Sequence, residues 1–310
     1  KSYASQQIAV VFLYQQKLTE KSLTLPHINC THMKPDNGQY YPSYLQLEKI
    51  LDSQHPLSFA EGQTPAHDEM LFIIIHQTYE LWFKQILHEV AAAQISLEAG
   101  DTHRSLSLLG RIRTIMKTCV SQLDILETMT PLQFNSFRER LTSASGFQSA
   151  QFRELEAVLG RRDHAGANAD KGSGMGMAEH LVPGSAARAR VEAAMLRPSL
   201  WDSALHYFHS RSPMPQSALG RDVSTNWEPN EEVQQVLIAL HRSDPEASMV
   251  SEALVDFDEG LQEWRYRHVK MVERTIGRKM GTGGSSGAGY LASTLFSPVF
   301  PDLWAIRSQF

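Results

Sequence analysis

Two histidines, His76 and His268, are the residues of this chain with the clearest potential for chemistry. His76 lies four residues after Phe72, and His268 lies four residues after Trp264. Residues at this spacing share one face of a helix, and an apolar face normally points into the core. An imidazole on such a face needs a hydrogen-bond partner, a metal or a ligand, because burying it unpaired is costly.

A single imidazole on an apolar helix face suits the axial ligand of a haem, since the porphyrin fills the equatorial positions of the iron. His268 has no second ligand-type residue one turn away, as a helical zinc pair would have. His76 is followed one turn later by Glu80, so these two residues remain an alternative pair of metal ligands. The alternative for either histidine alone is a core histidine whose hydrogen bonds are satisfied by protein groups.

Arg138 is a candidate for binding a carboxylate. It shares a predicted helix face with Phe134 and Leu141, and an arginine on a partly apolar face commonly clamps a carboxylate through two parallel hydrogen bonds. The alternative, which the residues alone favour, is a surface arginine whose aliphatic stem covers apolar neighbours.

The glycine-rich segment 281–287, which contains Thr282, is a candidate anion-binding loop. Its backbone N–H groups and hydroxyls can form a nest for an anion. It lacks a P-loop lysine motif and a preceding strand, so a flexible connector is the alternative. Its position directly after the helix of His268 favours a role in the site.

The composition limits the function classes. The chain has 310 residues, of which 42% are hydrophobic and 20% charged, with a net charge of −5. It can therefore bury a large core, and no basic block indicates a nucleic-acid surface. Cys30 and Cys119 are too few for a disulfide framework, which favours a reducing, cytoplasmic location. The longest early apolar run, residues 8–14, is too short to cross a bilayer, so we expect no membrane partner.

The elements that would position these residues are helices. Helical periodicity dominates the chain, and no convincing run of alternating strands occurs. We predict an all-α, single-domain helical bundle over residues 1–310, with a flexible loop or insertion at 160–184 where glycines replace the apolar period. Thr64-Pro65 and the capping box Thr130–Gln133 are predicted helix starts. The predicted helices cover residues 44–51, 64–97, 109–126, 131 onward, 148–159, 199–209, 231–241 and 249–276.

Several sequence blocks resemble those of the tryptophan 2,3-dioxygenase family. They span the chain from about Tyr41 to the C-terminus, and they are long and specific. The blocks are HDEMLF (67–72) with His76-Gln77 and ELW (80–82); LDILETMTP (123–131) with Phe137-Arg138 and ASGFQS (144–149); WRYRH (264–268) with TIG (275–277) and GTGGSSG (281–287); and FPDLW (300–304).

This resemblance implies an all-helical enzyme that encloses a b-type haem and forms a homotetramer. It also implies the reaction, in which O₂ is inserted into the indole C2–C3 bond of L-tryptophan to give N-formylkynurenine, as in the kynurenine pathway of tryptophan catabolism.

The resemblance also implies roles for individual residues. His268 matches the haem iron ligand, and His76 matches the distal, catalytic histidine beside the indole nitrogen. Ser145 and Leu141 match residues that contact the haem, and Tyr41 and Tyr44 match aromatic residues that a neighbouring subunit lends to the pocket. The full substrate-binding set implied is Tyr41, Tyr44, Phe72, Ile73, Ile74, Ile75, His76, Phe134, Arg138 and Thr282.

The chain departs from the family pattern at Pro42, where a glycine is usual, and at Leu123, where a tryptophan is common. These departures leave open a substituted tryptophan as substrate. A haem-dependent monooxygenase that converts tryptophan or a methyl-tryptophan to an oxindole is an alternative function. A non-enzymatic haem sensor or carrier is a second alternative.

Overall fold

The computed structural model describes residues 40–163, 176–277, 279 and 288–310. Within these ranges the regular elements are α- and 3₁₀-helices, with no strand. This confirms the all-α prediction for the described residues. None of the described helices is long and apolar enough to cross a lipid bilayer.

The chain divides into two units at the bond between Ser53 and Gln54. In the first unit, the described residues form two short helices, α1 (Tyr41–Leu45) and α2 (Leu47–Leu51). Gln46 separates them with a left-handed backbone, φ 53°. The prediction of one helix over 44–51 is therefore corrected to two, because this conformation interrupts the helical hydrogen bonds.

The second unit, Gln54–Phe310, contains the remaining helices. The α-helices are α3 (Asp68–Glu98), α4 (Thr102–Leu126), α5 (Pro131–Arg138), α6 (Ala150–Val158), α7 (Ala186–Met195), α8 (Leu200–His209), α9 (Gln216–Leu219), α10 (Glu231–Ser243), α11 (Pro245–Ile276), α12 (Ala288–Ser293) and α13 (Pro301–Ala305). The 3₁₀ turns are Leu57–Phe59, Glu139–Leu141, Gly146–Gln148, Met177–His180 and Ile306–Gln309.

The three long helices α3, α4 and α11 form the core of this unit, with α4 packed against both of the others. Their apolar stripes are buried, for example at Ile86 of α3, Ile112 of α4 and Leu261 of α11. Each such side chain contributes about 1.5–3 kcal/mol on burial. The periodicity that predicts these helices therefore also explains why they pack together.

The start of α3 differs from its prediction. The predicted start at Thr64-Pro65 is wrong, since the helix begins at Asp68. The Glu69 carboxylate instead accepts hydrogen bonds from the backbone N–H groups of Leu57 and Ser58, at 2.9 and 2.8 Å. These long-range bonds draw the first turn toward residues 57–58. By contrast, α5 begins at the predicted capping box, with Thr130 and Gln133 bonded reciprocally.

The described flanks of the 160–184 segment are packed against the protein. Met177, Ala178 and Leu181 are buried in a small cluster with α6 and α7. Arg162 is fully buried and donates hydrogen bonds to the carbonyls of Val223 and Arg197, at 2.8 and 2.9 Å. Residues 164–175, which carry most of the predicted flexible loop, lie outside the described residues.

Two buried carboxylates attach the C-terminal segment to the bundle. Asp258 of α11 accepts hydrogen bonds from the backbone of Val299 and Phe300 and from the Trp304 indole, at 2.8, 3.1 and 2.9 Å. Asp302 in turn accepts a hydrogen bond from the Trp227 indole, at 2.5 Å. These bonds fix residues 299–304 beside α11, the helix that carries His268.

We expect Asp202→Asn to lower the free energy of unfolding by about 3 kcal/mol, because it leaves the guanidinium of Arg221 without its buried counter-charge. Arg221 donates to both carboxylate oxygens of Asp202, at 2.7 and 3.2 Å, and Asp202 is 5% exposed. Burial alone raises the pKa of Asp202, but the hydrogen bonds from Arg221 and Ser199 bring the net pKa below its usual value.

This lowered pKa also predicts a pH dependence. The stabilisation by Asp202 is present above its ordinary pKa and is lost as the pH falls through its lower folded-state pKa. Urea unfolding from pH 7 down to pH 3 should therefore show a weaker acid dependence in Asp202→Asn than in the wild type. The exposed variant Asp52→Asn is the control, and equal behaviour of both variants would contradict the prediction.

Candidate active site

The second unit contains a cavity of about 570 Å³ between α3, α4, α5, α6 and α11. This volume is in the range of protein sites for small molecules and cofactors. Most of its wall is apolar and aromatic. The wall includes Phe72, His76, Phe83, Leu123, Leu126, Met129, Phe134, Phe147, Phe152, Trp264, His268, Met271 and Ile276.

His268 lies on the α11 side of this cavity. Its ring stacks on Trp264, with ring centroids 5.1 Å apart and planes 22° apart. Burial lowers the pKa of His268 to about 4, with a smaller contribution from His76. The imidazole is therefore neutral at pH 7. Within the described part of the chain no hydrogen bond to its ring is present, so a ring nitrogen is available as a ligand.

His76 lies on the α3 side of the same cavity. Its Nδ1 is 2.6 Å from the carbonyl oxygen of Phe72, and the two rings are 4.1 Å apart between centroids. Because a carbonyl only accepts, Nδ1 carries the proton and Nε2 keeps a lone pair. Desolvation lowers the pKa of His76, although the Phe72 carbonyl and Glu80 oppose this shift. His76 is therefore a neutral hydrogen-bond acceptor.

Five other predicted site residues also lie on the cavity wall: Phe72, Phe134, Arg138, Leu141 and Ser145. Phe134 and Arg138 belong to α5, and Leu141 ends the 3₁₀ turn that follows it. Ser145 caps the next turn by accepting a hydrogen bond from the backbone N–H of Phe147, at 3.3 Å. Local helix geometry thus places an arginine, an aromatic ring and a hydroxyl on one stretch of wall.

The sequence of this chain matches a known protein family. The sequence model of the family described as tryptophan 2,3-dioxygenase matches residues 27–174 and 210–310. The chain belongs to the tryptophan 2,3-dioxygenase family.

Individual relatives match over nearly their whole length. A tryptophan 2,3-dioxygenase of Anaeromyxobacter sp. (strain K) is 52% identical over 272 residues, which cover 86% of this chain and 94% of the relative. That of Herpetosiphon aurantiacus is 52% identical, with 87% and 97% covered. That of Pseudomonas aeruginosa is 39% identical, with 87% and 89% covered.

The residues of this tryptophan 2,3-dioxygenase family member fit a haem. A neutral imidazole with an available nitrogen is the donor that an axial iron site needs. The aromatic and aliphatic wall suits the apolar faces of a porphyrin, and the cavity has the volume of a cofactor site. Leu123, one of the departures from the tryptophan 2,3-dioxygenase pattern, is buried on this wall.

The remaining predicted site residues of this family member fall into three groups. The wall does not include Ile73, Ile74 or Ile75; Ile75 is buried in the core and Ile74 is 44% exposed. Tyr41 and Tyr44 lie in the first unit, where their side chains are 71% and 68% exposed. Thr282 and the rest of the 281–287 loop lie outside the described residues.

Sequence reasoning missed a charged group on the wall. Glu156 is buried, and its oxygens lie 2.9 Å from both Arg153 and Arg161 and 3.5 Å from Arg265. Burial raises the pKa of Glu156, but the three guanidiniums outweigh this and lower it. All four side chains line the cavity, and the carboxylates of Glu156 and Asp163, the latter paired with Arg161, offset two of the three guanidinium charges. No local motif indicated it, since Arg265 comes from a distant helix.

Proposed function

We propose that this protein is a haem-dependent oxygenase that inserts O₂ into the indole C2–C3 bond of L-tryptophan and yields N-formylkynurenine. The observation that carries the proposal is the pair of neutral histidines, His76 and His268, on the wall of one large apolar cavity. Membership of the tryptophan 2,3-dioxygenase family supports the same activity.

His268 is the residue that would hold the haem iron, with Leu141 and Ser145 contacting the group from the wall. When bound, the haem supplies the oxygen chemistry that side chains cannot perform. The neutral state of His268 at pH 7 is the state that binds a metal, so no proton has to be displaced.

His76 and Arg138 would orient the substrate. The free Nε2 lone pair of His76 can accept a hydrogen bond from the indole N–H, because Nδ1 is engaged by the Phe72 carbonyl. Arg138 would bind the substrate carboxylate through charge-assisted hydrogen bonds. Phe72 and Phe134, whose ring centroids are 5.8 Å apart, would enclose the indole. Orientation of this kind supplies a large part of a catalytic rate.

The deciding experiment is mass spectrometry of the product formed from L-tryptophan and ¹⁸O₂ by the haem-loaded protein. Two labelled oxygen atoms support the dioxygenase, and one labelled atom would assign the protein to the monooxygenase alternative. A haem spectrum that does not respond to tryptophan, with no product, would favour the sensor or carrier alternative.

We expect His76→Ala to keep haem and to lower activity by about 2–13-fold, the value of one neutral hydrogen bond. An obligatory base would instead cost about 10²–10⁴-fold. Steady-state kinetics per bound haem distinguish the two roles. His88→Ala, an exposed histidine on the same helix, is the control and should behave as the wild type.

A 1-methyl substrate, which lacks the indole N–H, tests the same role. The wild type should turn it over slowly, because its methyl group collides with the imidazole of His76. In His76→Ala its rate of turnover should rise relative to that of tryptophan. Equal impairment of the variant on both substrates, with haem intact, would contradict the positioning role.

The assembly and location stay predictions based on the resemblance and the composition. They include a homotetramer in which Tyr41 and Tyr44 enter a neighbouring subunit's pocket, and a role of Thr282 at the substrate head group. They also include a cytoplasmic location, for which the low cysteine content is the support; Cys119 is a free, buried thiol.

A further inference from the structure

Glu80 is a carboxylate on the cavity wall that the proposed reaction leaves without a role. It lies on α3, one helical turn after His76. It accepts hydrogen bonds from the Ser149 hydroxyl at 2.5 Å and from the Gln151 amide at 2.8 Å. The same amide also donates to the Glu80 carbonyl oxygen at 2.8 Å. Glu80 therefore joins the helix of His76 to a segment about 70 residues further along the chain.

In the hydrogen bond between Ser149 and Glu80, the serine hydroxyl is the donor. Ser149 is the N-cap of α6, and its oxygen accepts a hydrogen bond from the backbone N–H of Phe152, at 3.2 Å. Because the hydroxyl has one proton, that proton goes to Glu80. The Ser149 backbone N–H bonds the Gly146 carbonyl at 3.1 Å, which closes the 3₁₀ turn after Ser145. A displacement of the Glu80 side chain would therefore displace Ser149 and, through it, the 145–149 segment.

This segment contributes a continuous part of the cavity wall, comprising Ser145, Gly146, Phe147, Gln148 and Ser149. It is held further by short-range bonds, such as those between Ser145 and Gln148, and by the Phe147 ring, which stacks on His180 with ring centroids 4.8 Å apart. Short loops held by local bonds keep more freedom than helices packed in a core. The carboxylate of Glu80 therefore adds a long-range hydrogen-bonded restraint at the Ser149 end of this wall.

We propose that Glu80 is a positioning residue for the proposed oxygenase reaction, and that it holds the 145–149 wall at a set place relative to His76. The proposal rests on the proposed function for its kinetic consequence. It acts through Ser149 and Gln151, and it requires no contact between Glu80 and the substrate.

The test uses Glu80→Gln in the haem-loaded protein. An amide has one acceptor oxygen, so it cannot replace both carboxylate bonds. We expect kcat per bound haem to fall by about 10-fold or more, the loss typical of a hydrogen bond to a charged group. KM should change less, because the substrate carboxylate is bound elsewhere by Arg138.

A readout without substrate separates this proposal from the proposed function. Hydrogen exchange at the amides of residues 145–152 should be faster in Glu80→Gln than in the wild type. If the wild type does not oxidise tryptophan, the proposed function fails, and faster exchange still supports the restraint. Unchanged exchange with wild-type activity would overturn the restraint alone.

One further variant excludes a merely structural role. Glu89→Gln is the matched control, since Glu89 is a buried glutamate on α3 that is bonded by Gln85 and Arg111 and lies off the cavity wall. It should lower stability without changing kcat per haem. Equal kcat per bound haem in Glu80→Gln and Glu89→Gln would overturn the proposal.

Discussion

His268→Ala is expected to weaken haem binding by more than about 100-fold, beyond the 10–100-fold that is typical of losing an outer-shell partner of a metal ligand. The physical reason is that the single proposed protein bond to the iron disappears. Haem titration of the apoprotein, followed by the absorption spectrum, measures the effect.

Two controls keep this result interpretable. His88→Ala removes an exposed imidazole from α3 and should leave haem binding unchanged. Circular dichroism of the His268→Ala apoprotein shows whether the helices are retained, and added imidazole should restore haem binding in a folded variant. Normal haem content and an unchanged spectrum in His268→Ala would show that another residue is the iron ligand, with His76 the first candidate.

Arg138→Leu is expected to raise KM for tryptophan by about 10–100-fold. A charge-assisted, bidentate pair with the substrate carboxylate is worth about 1.5–3 kcal/mol, and each 1.4 kcal/mol corresponds to a factor of ten. Arg138→Lys should recover only part of this loss, because lysine keeps the charge but not the planar fork. Steady-state kinetics with tryptophan provide the measurement.

The matched control is Arg140→Leu, which makes the same charge change two residues away. Arg140 bonds the Ser136 carbonyl and the Gln63 side chain, and it does not line the cavity. It should leave KM near the wild-type value. An equal rise in both variants would indicate a general electrostatic effect, and an unchanged KM in Arg138→Leu would show that another group holds the carboxylate.

The sequence by itself determined the class of fold and the family. Helical periodicity is a local property, so the apolar stripes of α3, α4 and α11 could be recognised without knowing what they pack against. The capping box at Thr130 and Gln133 was equally readable, because its two bonds join residues three positions apart. His76, His268 and Arg138 could be selected for the same reason, since each lies on an apolar face or in a family block.

Only the tertiary structure decided which of these residues meet. His76 and His268 line one cavity because α4 packs against both of the helices that carry them. Ile73 to Ile75 lie outside the wall because successive side chains of a helix point in different directions, so that only some of them face the cavity. The start of α3 was mispredicted because Glu69 bonds residues 57–58, and the partners of Glu80 and Glu156 come from distant segments. A pattern of spacing reports neighbours within one element, whereas bonds between elements depend on how the whole core packs.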